Sequence, residues 1–77
     1  MRVKVELQAH LKQYSPSGQA TFEHDLPEGA NVSHLIRSLG MPEELTTVIL
    51  VNGANTGPEY LLHQGDHVTL IPPLAGG

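Results

Sequence analysis

The sequence contains no cysteine. That excludes a disulfide framework, a thiolate metal site and a cysteine nucleophile, and it is the composition expected of a reducing, cytoplasmic setting. Tryptophan is absent too, and Tyr14, Phe22 and Tyr60 are the aromatic residues. Three aromatics scattered along the chain make no base-stacking platform. Strong bases are equally sparse: Arg2, Lys4, Lys12 and Arg37 stand against eight acidic residues, for a net charge of −4. Nucleic-acid affinity grows with the number of phosphates neutralised, so no nucleic-acid role is expected. No apolar run approaches the roughly 20 residues needed to cross a bilayer, and the charged start Arg2-Val3-Lys4-Val5-Glu6 does not read as a signal peptide. No membrane association is expected.

The 77 residues are read as one domain, 1–77, with a flexible tail over 72–77. Between Arg2 and Gln8, Val3, Val5 and Leu7 alternate with charged residues, the period of a strand with one buried face. Turn chemistry at Ser15-Pro16-Ser17-Gly18 separates it from a second alternating run, Gln19 to Leu26, which suggests an antiparallel hairpin. Asn31 is a helix N-cap candidate. Val32, Leu35, Ile36 and Leu39 follow at i, i+3, i+4 and i+7, an amphipathic stripe, with Gly40 placed at C′ and Pro42 barring continuation.

Thr47 to Val51 is β-branched and nearly continuous in apolarity, the pattern of a strand near a sheet centre or buried on both faces. Asn52-Gly53 marks a turn. Residues 54–64 read as irregular, anchored to the core by Tyr60-Leu61-Leu62. Gly65-Asp66 is a second turn, and His67 to Ile71 a last strand that Pro72-Pro73 ends, because proline has no N–H to donate. The order strand, strand, helix, strand, irregular segment, strand implies an α+β fold. It is a β-grasp roll with a mixed sheet of four to five strands and one main helix across one face.

Beyond Pro73 stand Leu74-Ala75-Gly76-Gly77, which no apolar pattern requires. Stretched, they reach about 13 Å. Two side-chain-free residues can enter a channel too narrow for any other segment, carrying a bare carboxylate at their tip. His10, His24, His34, His63 and His67 lack metal-ligand spacing, so no metal site is expected. Glu43-Glu44 reads as solvated charge, Asp66 as a turn residue, and neither Asp25 nor Glu28 as half of an acid–base pair. With no nucleophile–base pair and no phosphate-cradling loop, a stand-alone enzyme is not expected.

Four stretches together are similar to the MoaD/ThiS family of ubiquitin-like sulfur carriers. They are Leu26-Pro27-Glu28-Gly29-Ala30-Asn31-Val32, Val51-Asn52-Gly53, Gly65-Asp66-x-Val68 and Ile71-Pro72-Pro73-Leu74-Ala75-Gly76-Gly77. The resemblance spans the chain. Ala9-His10-Leu11-Lys12-Gln13-Tyr14 resembles the region after the first strand in the small subunit of molybdopterin synthase, though without the arginine common there.

The resemblance implies that an adenylating, ubiquitin-activating-like enzyme uses ATP and magnesium on the Gly77 carboxylate. A sulfur donor then converts it to a thiocarboxylate that supplies sulfur in cofactor biosynthesis. Molybdopterin or tungsten-cofactor synthesis is the first expectation; a thiamine thiazole carrier and a ubiquitin-like protein modifier are the alternatives. It implies that Gly77 is the reacting residue, that Gly76, Ala75 and Leu74 enter a partner's active site, and that Pro73, Pro72 and Ile71 are docking candidates. The receiving partner is expected to be the molybdopterin synthase large subunit or a thiazole synthase. The chain itself is expected to bind no cofactor.

Overall fold

A computed structural model describes residues 1–46 and 48–73. It contains five strands: β1 (Arg2–Leu7), β2 (Thr21–Asp25), β3 (Val48–Val51), β4 (Ala54–Thr56) and β5 (His67–Ile71). One α-helix, α1 (Val32–Ser38), and two 3₁₀ turns, Ala9–Tyr14 and Glu43–Leu45, complete it. The sheet runs β2-β1-β5-β3-β4. β1 pairs antiparallel with β2 and parallel with β5, and β5 pairs antiparallel with β3. The expected mixed sheet with one main helix is what the chain forms.

Register sorts the side chains. Val5 lies opposite both Phe22 and Val68, and Leu70 opposite both Leu7 and Ile49, so these residues share the inner face. Val3, Val5, Leu7, Val68 and Leu70 are all but inaccessible and pack with Val32, Leu35, Ile36 and Met41. Arg2, Lys4, Glu6, His67 and Thr69 alternate with them and fall on the outer face.

Three expectations about the middle of the chain are corrected. β3 lies beside the central strand β5, as one reading of its apolarity expected, but it is not buried on both faces. Ile49 and Val51 are buried, whereas Val48 and Leu50 are half-exposed on the outer face. Continuous apolarity here marks a strand with a covered face and a half-covered one. Thr47, the expected first residue of this strand, lies outside the described residues.

The stretch from Ala54 is not wholly irregular either. Asn52-Gly53 turns the chain straight back into β4, with Val51 opposite Ala54. Three residues, of which only Thr56 favours a strand, are too few to give a periodic signal.

Nor do Tyr60 and Leu61 anchor into the core: they are 40% and 57% exposed, and only Leu62 of the three is buried. The anchor is backbone. An α-helix begins with N–H groups that have no partner within it. Here Val32 N–H donates to Tyr60 O (3.1 Å), Ser33 N–H to Pro58 O (2.9 Å), and His34 N–H to the Asn31 side chain (2.8 Å). The segment after β4 thus completes the first turn of α1, and Leu62 N–H returns a bond to Ala30 O (3.0 Å). At the other end Gly40 adopts φ +73°, the left-handed C′ geometry.

β2 closes over the end of α1 through one side-chain contact. Ser38 Oγ donates its single hydrogen to Leu35 O (2.7 Å), so its contact with His24 Nε2 (3.0 Å) requires Nε2 to carry the proton. On the outer face Arg2 meets Asp25 (Nε–Oδ1 2.9 Å) and Glu23 (Nη1–Oε1 3.4 Å). Hydrogen bonding to Arg2, and then its charge, lower the Asp25 carboxyl below 3.8.

Two measurements test this arrangement. Leu35→Ala empties a fully buried position, and a loss of about 2–5 kcal/mol is expected in urea unfolding; a loss under about 1 kcal/mol contradicts the packing described. Because the Asp25 value is lowered on folding, the pair stabilises above pH 3.8 and that contribution disappears as pH falls through the folded value. Wild type and Asp25→Asn are therefore expected to differ most at neutral pH and low salt, and to converge on acidification or in high salt, since both partners are exposed. A gap that persists at low pH contradicts the pairing.

Candidate functional site

Leu74, Ala75, Gly76 and Gly77, the expected working residues, lie outside the described residues. What the structure places is the strand that carries them. β5 leaves the sheet at Ile71, paired to Val48, the last rung of its ladder with β3. Pro72 follows and is buried, while Pro73 is exposed. The three docking candidates therefore differ. Ile71 points to the outer face and is half-buried, Pro73 offers surface, and Pro72 is packed against its own chain, so it fixes the exit of the tail rather than presenting a contact.

Around that exit the outer face is apolar. Ile71 neighbours Val48, and Thr69 neighbours Leu50, all half-buried. Toward β1 and β2 the same face is charged, with Glu6, Lys4, Arg2, Glu23 and Asp25. Leu70, by contrast, is fully buried core.

The start of β5 is held by a polar lock that the sequence did not announce. Asp66 is the one buried charged residue among those described. Its Oδ1 accepts from Asn52 Nδ2 (2.9 Å) and its Oδ2 from His63 N–H (2.8 Å). Asn52 Oδ1 in turn accepts from His67 N–H (2.9 Å), and Asn52 N–H donates to His67 O (2.8 Å). The turn before β5 is thus tied to the turn after β3. Reading Asp66 as a turn residue captured its place but not its burial; the pairing of Asn-Gly with a Gly-Asp turn is the signal that could have found it.

Two open grooves lie elsewhere. One of about 500 Å³ is lined by His10, Lys12, Gln13, Ser15 and Gly18; another of about 290 Å³ by Asn31, Ser33, Glu43, Pro58 and Glu59. Neither is lined by residues of the tail-bearing strand. Glu43, expected to be simply solvated, is exposed but accepts a hydrogen bond from Ser33. His63 and His67 flank the Gly65-Asp66 turn, and His67 Nε2 stands 3.4 Å from Glu6 Oε1, an ion pair only when the imidazole is protonated. Among the described residues no three His, Cys, Asp or Glu side chains are grouped to hold a metal ion, and no helix is long and apolar enough to cross a membrane.

No curated protein matches the chain. Several solved structures are similar, among them these three. The putative molybdopterin converting factor, subunit 1, of Pyrococcus furiosus is 31% identical, with a TM-score of 0.76 over 95% of this chain and 98% of that one. The small archaeal modifier protein 1 of Methanosarcina acetivorans is 24% identical, with a TM-score of 0.72 over 99% and 96% of the two chains. A chain of the complex of subunits 1 and 2 of the molybdopterin-converting factor from Helicobacter pylori is 23% identical, with a TM-score of 0.62 and both chains covered in full. The last two share the fold. A family model, Mut7-C ubiquitin, matches residues 1–75. With its β-grasp sheet, its strand-borne tail and these likenesses, the chain belongs to the Mut7-C ubiquitin family, among the ubiquitin-like sulfur carriers of the MoaD/ThiS type.

Proposed function

We propose that the chain carries sulfur on its C-terminal carboxylate for cofactor synthesis, with molybdopterin synthesis as the pathway. One observation carries the reading: a sequence ending in Gly76-Gly77 continues a strand held at the sheet centre, in a chain 31% identical to a putative molybdopterin converting factor subunit. Such a chain acts as the substrate of its partners rather than as an enzyme.

In this reaction the Gly77 carboxylate attacks the α-phosphorus of ATP on an activating enzyme, and pyrophosphate leaves. The mixed anhydride replaces a poor electrophile by one with a good leaving group. A donor of sulfide-level sulfur attacks the carbonyl carbon, a C–S bond forms as the C–O bond to the phosphate breaks, AMP departs, and a thiocarboxylate remains. Sulfur, the softer nucleophile, bonds to the cofactor precursor while still attached to the Gly77 carbonyl, and water then cleaves that C–S bond, restoring the carboxylate and leaving the sulfur on the precursor. ATP, magnesium and the catalytic side chains belong to the partner. The carrier contributes position, since a tail confined in a channel makes the encounter effectively unimolecular.

The exit geometry supports this use. Pro72 is buried and Pro73 exposed, so the tether starts at a fixed point beside the apolar group of Ile71, Val48 and Leu50. A partner that accepts the tail stands against that group, in the manner of a synthase large subunit. The similarity to the subunit 1–subunit 2 complex gives this partner its precedent.

The test is an intact mass after incubation with an activating enzyme, ATP and a sulfur donor. Replacement of one oxygen by sulfur at Gly77 is expected. The chain lacking Gly76-Gly77 is expected to give no product while its thermal midpoint stays within about 2 °C of wild type. An unmodified Gly77 alongside lysine-linked adducts that require it points instead to a protein modifier. Transfer that reconstitutes thiazole but not molybdopterin formation moves the chain to the thiamine branch.

A further inference from the structure

Asn52 and Gly53 are the whole connection between β3 and β4. Both are left-handed, with φ of +53° and +85°, as a two-residue hairpin turn of this hand demands. The same dipeptide is chemically labile. The N–H of the residue after an asparagine can attack the side-chain carbonyl carbon, and a following glycine offers least hindrance to that approach. The new C–N bond closes a five-membered imide and ammonia leaves. Water then opens the ring, giving aspartate when one C–N bond breaks and isoaspartate when the other does. No oxidant or other reagent is needed.

In the folded chain both ends of the Asn52 carboxamide are held. Nδ2 donates to Asp66 Oδ1 (2.9 Å), and Oδ1 accepts from His67 N–H (2.9 Å). Asp66 cannot yield easily, because it is 8% exposed and its second oxygen accepts from His63 N–H (2.8 Å). For the Gly53 nitrogen to reach the Asn52 side-chain carbon, the carboxamide must leave both partners.

We propose that Asn52-Gly53 is a latent deamidation site that the Asp66 carboxylate holds shut, so that the modification records each molecule whose lock has opened. The change is one-way. A carboxylate at position 52 sets two negative oxygens against each other where a donor met an acceptor, beside a buried charge that has lost a partner. Isoaspartate also adds a backbone carbon to a turn that tolerates two residues only. Either product loosens the entry to β5, the strand that bears the tail. The inference does not depend on which chemistry the tail performs.

The full chain is incubated at mildly alkaline pH, and amide loss at position 52 is followed by peptide mapping. A synthetic peptide of residues 49–56 sets the unprotected rate. Wild type is expected to react at least about tenfold more slowly than the peptide, and Asp66→Ala to recover most of that rate. Leu35→Ala, destabilised at a distant core position, is compared at a temperature where circular dichroism shows both variants folded, and is expected to stay close to wild type. If Asp66→Ala does not fold, Asp66→Asn, which keeps an acceptor for Asn52 but loses the charge, is expected to lie between wild type and peptide. Asn52→Asp is expected to lower the thermal midpoint. Wild type reacting at the peptide's rate, or the Asp66 variant no faster than Leu35→Ala, overturns the proposal.

Discussion

The parallel ladder between β1 and β5 is the constraint on which the rest of the molecule depends. It joins the first and last strands of the chain, Lys4 beside His67 through Leu7 beside Leu70, across more than sixty intervening residues. Parallel neighbours cannot be joined by a tight turn, so everything between them must travel round. β2, α1, β3 and β4 are that journey: β2 pairs with β1, β3 with β5 and β4 with β3, while α1 packs on the inner face. The inner face of the central pair is sealed by α1, and its edges by β2 and β3. The residues that follow Pro73 are thereby carried by the central strand of the sheet.

That support is polar at one end of β5 and apolar at the other. At the start, the Asp66–Asn52–His67 lock fixes which residue enters the ladder. A slip of one residue would turn Val68 and Leu70 to the outer face. At the finish, Ile71 is the last paired residue and Pro72, buried and without an N–H, prevents the ladder from lengthening. Register and length of the strand are set by different chemistries, and together they define where the tether begins. The family assignment and the proposed use of the tail both draw on this one strand.

Much of this was legible in the sequence, for identifiable reasons. Val3, Val5 and Leu7, Val32, Leu35, Ile36 and Leu39, and Val68 and Leu70 carry strong periodicities because they face one continuous core. Asn31 and Gly40 read correctly because helix ends have few chemical solutions. What failed to read was whatever depends on backbone partners rather than side chains. β4 is three residues of unremarkable composition, held by register with β3. Tyr60 and Leu61 looked like core anchors because of their bulk, yet it is the carbonyls of Pro58 and Tyr60 that matter, and carbonyls are the same in every residue. Asp66 showed its turn and hid its burial, since a carboxylate's surroundings come from residues fourteen positions away. The half-exposed face of β3 was misread because apolar side chains there answer to a surface feature rather than to a core. The di-glycine tail is legible as a motif, and it lies outside the described residues.

The same central ladder has a mechanical consequence. Since β1 and β5 run in the same direction, the beginning of one and the end of the other emerge from opposite ends of the sheet. A load applied along the tail is resisted by the ladder lengthwise. All of its rungs share the load and must give way together, rather than peeling one at a time. Resistance to forced unfolding is governed by the barrier to that first rupture, not by overall stability. A small domain with a modest core can thus hold firm against a pull along the strand that ends at Ile71.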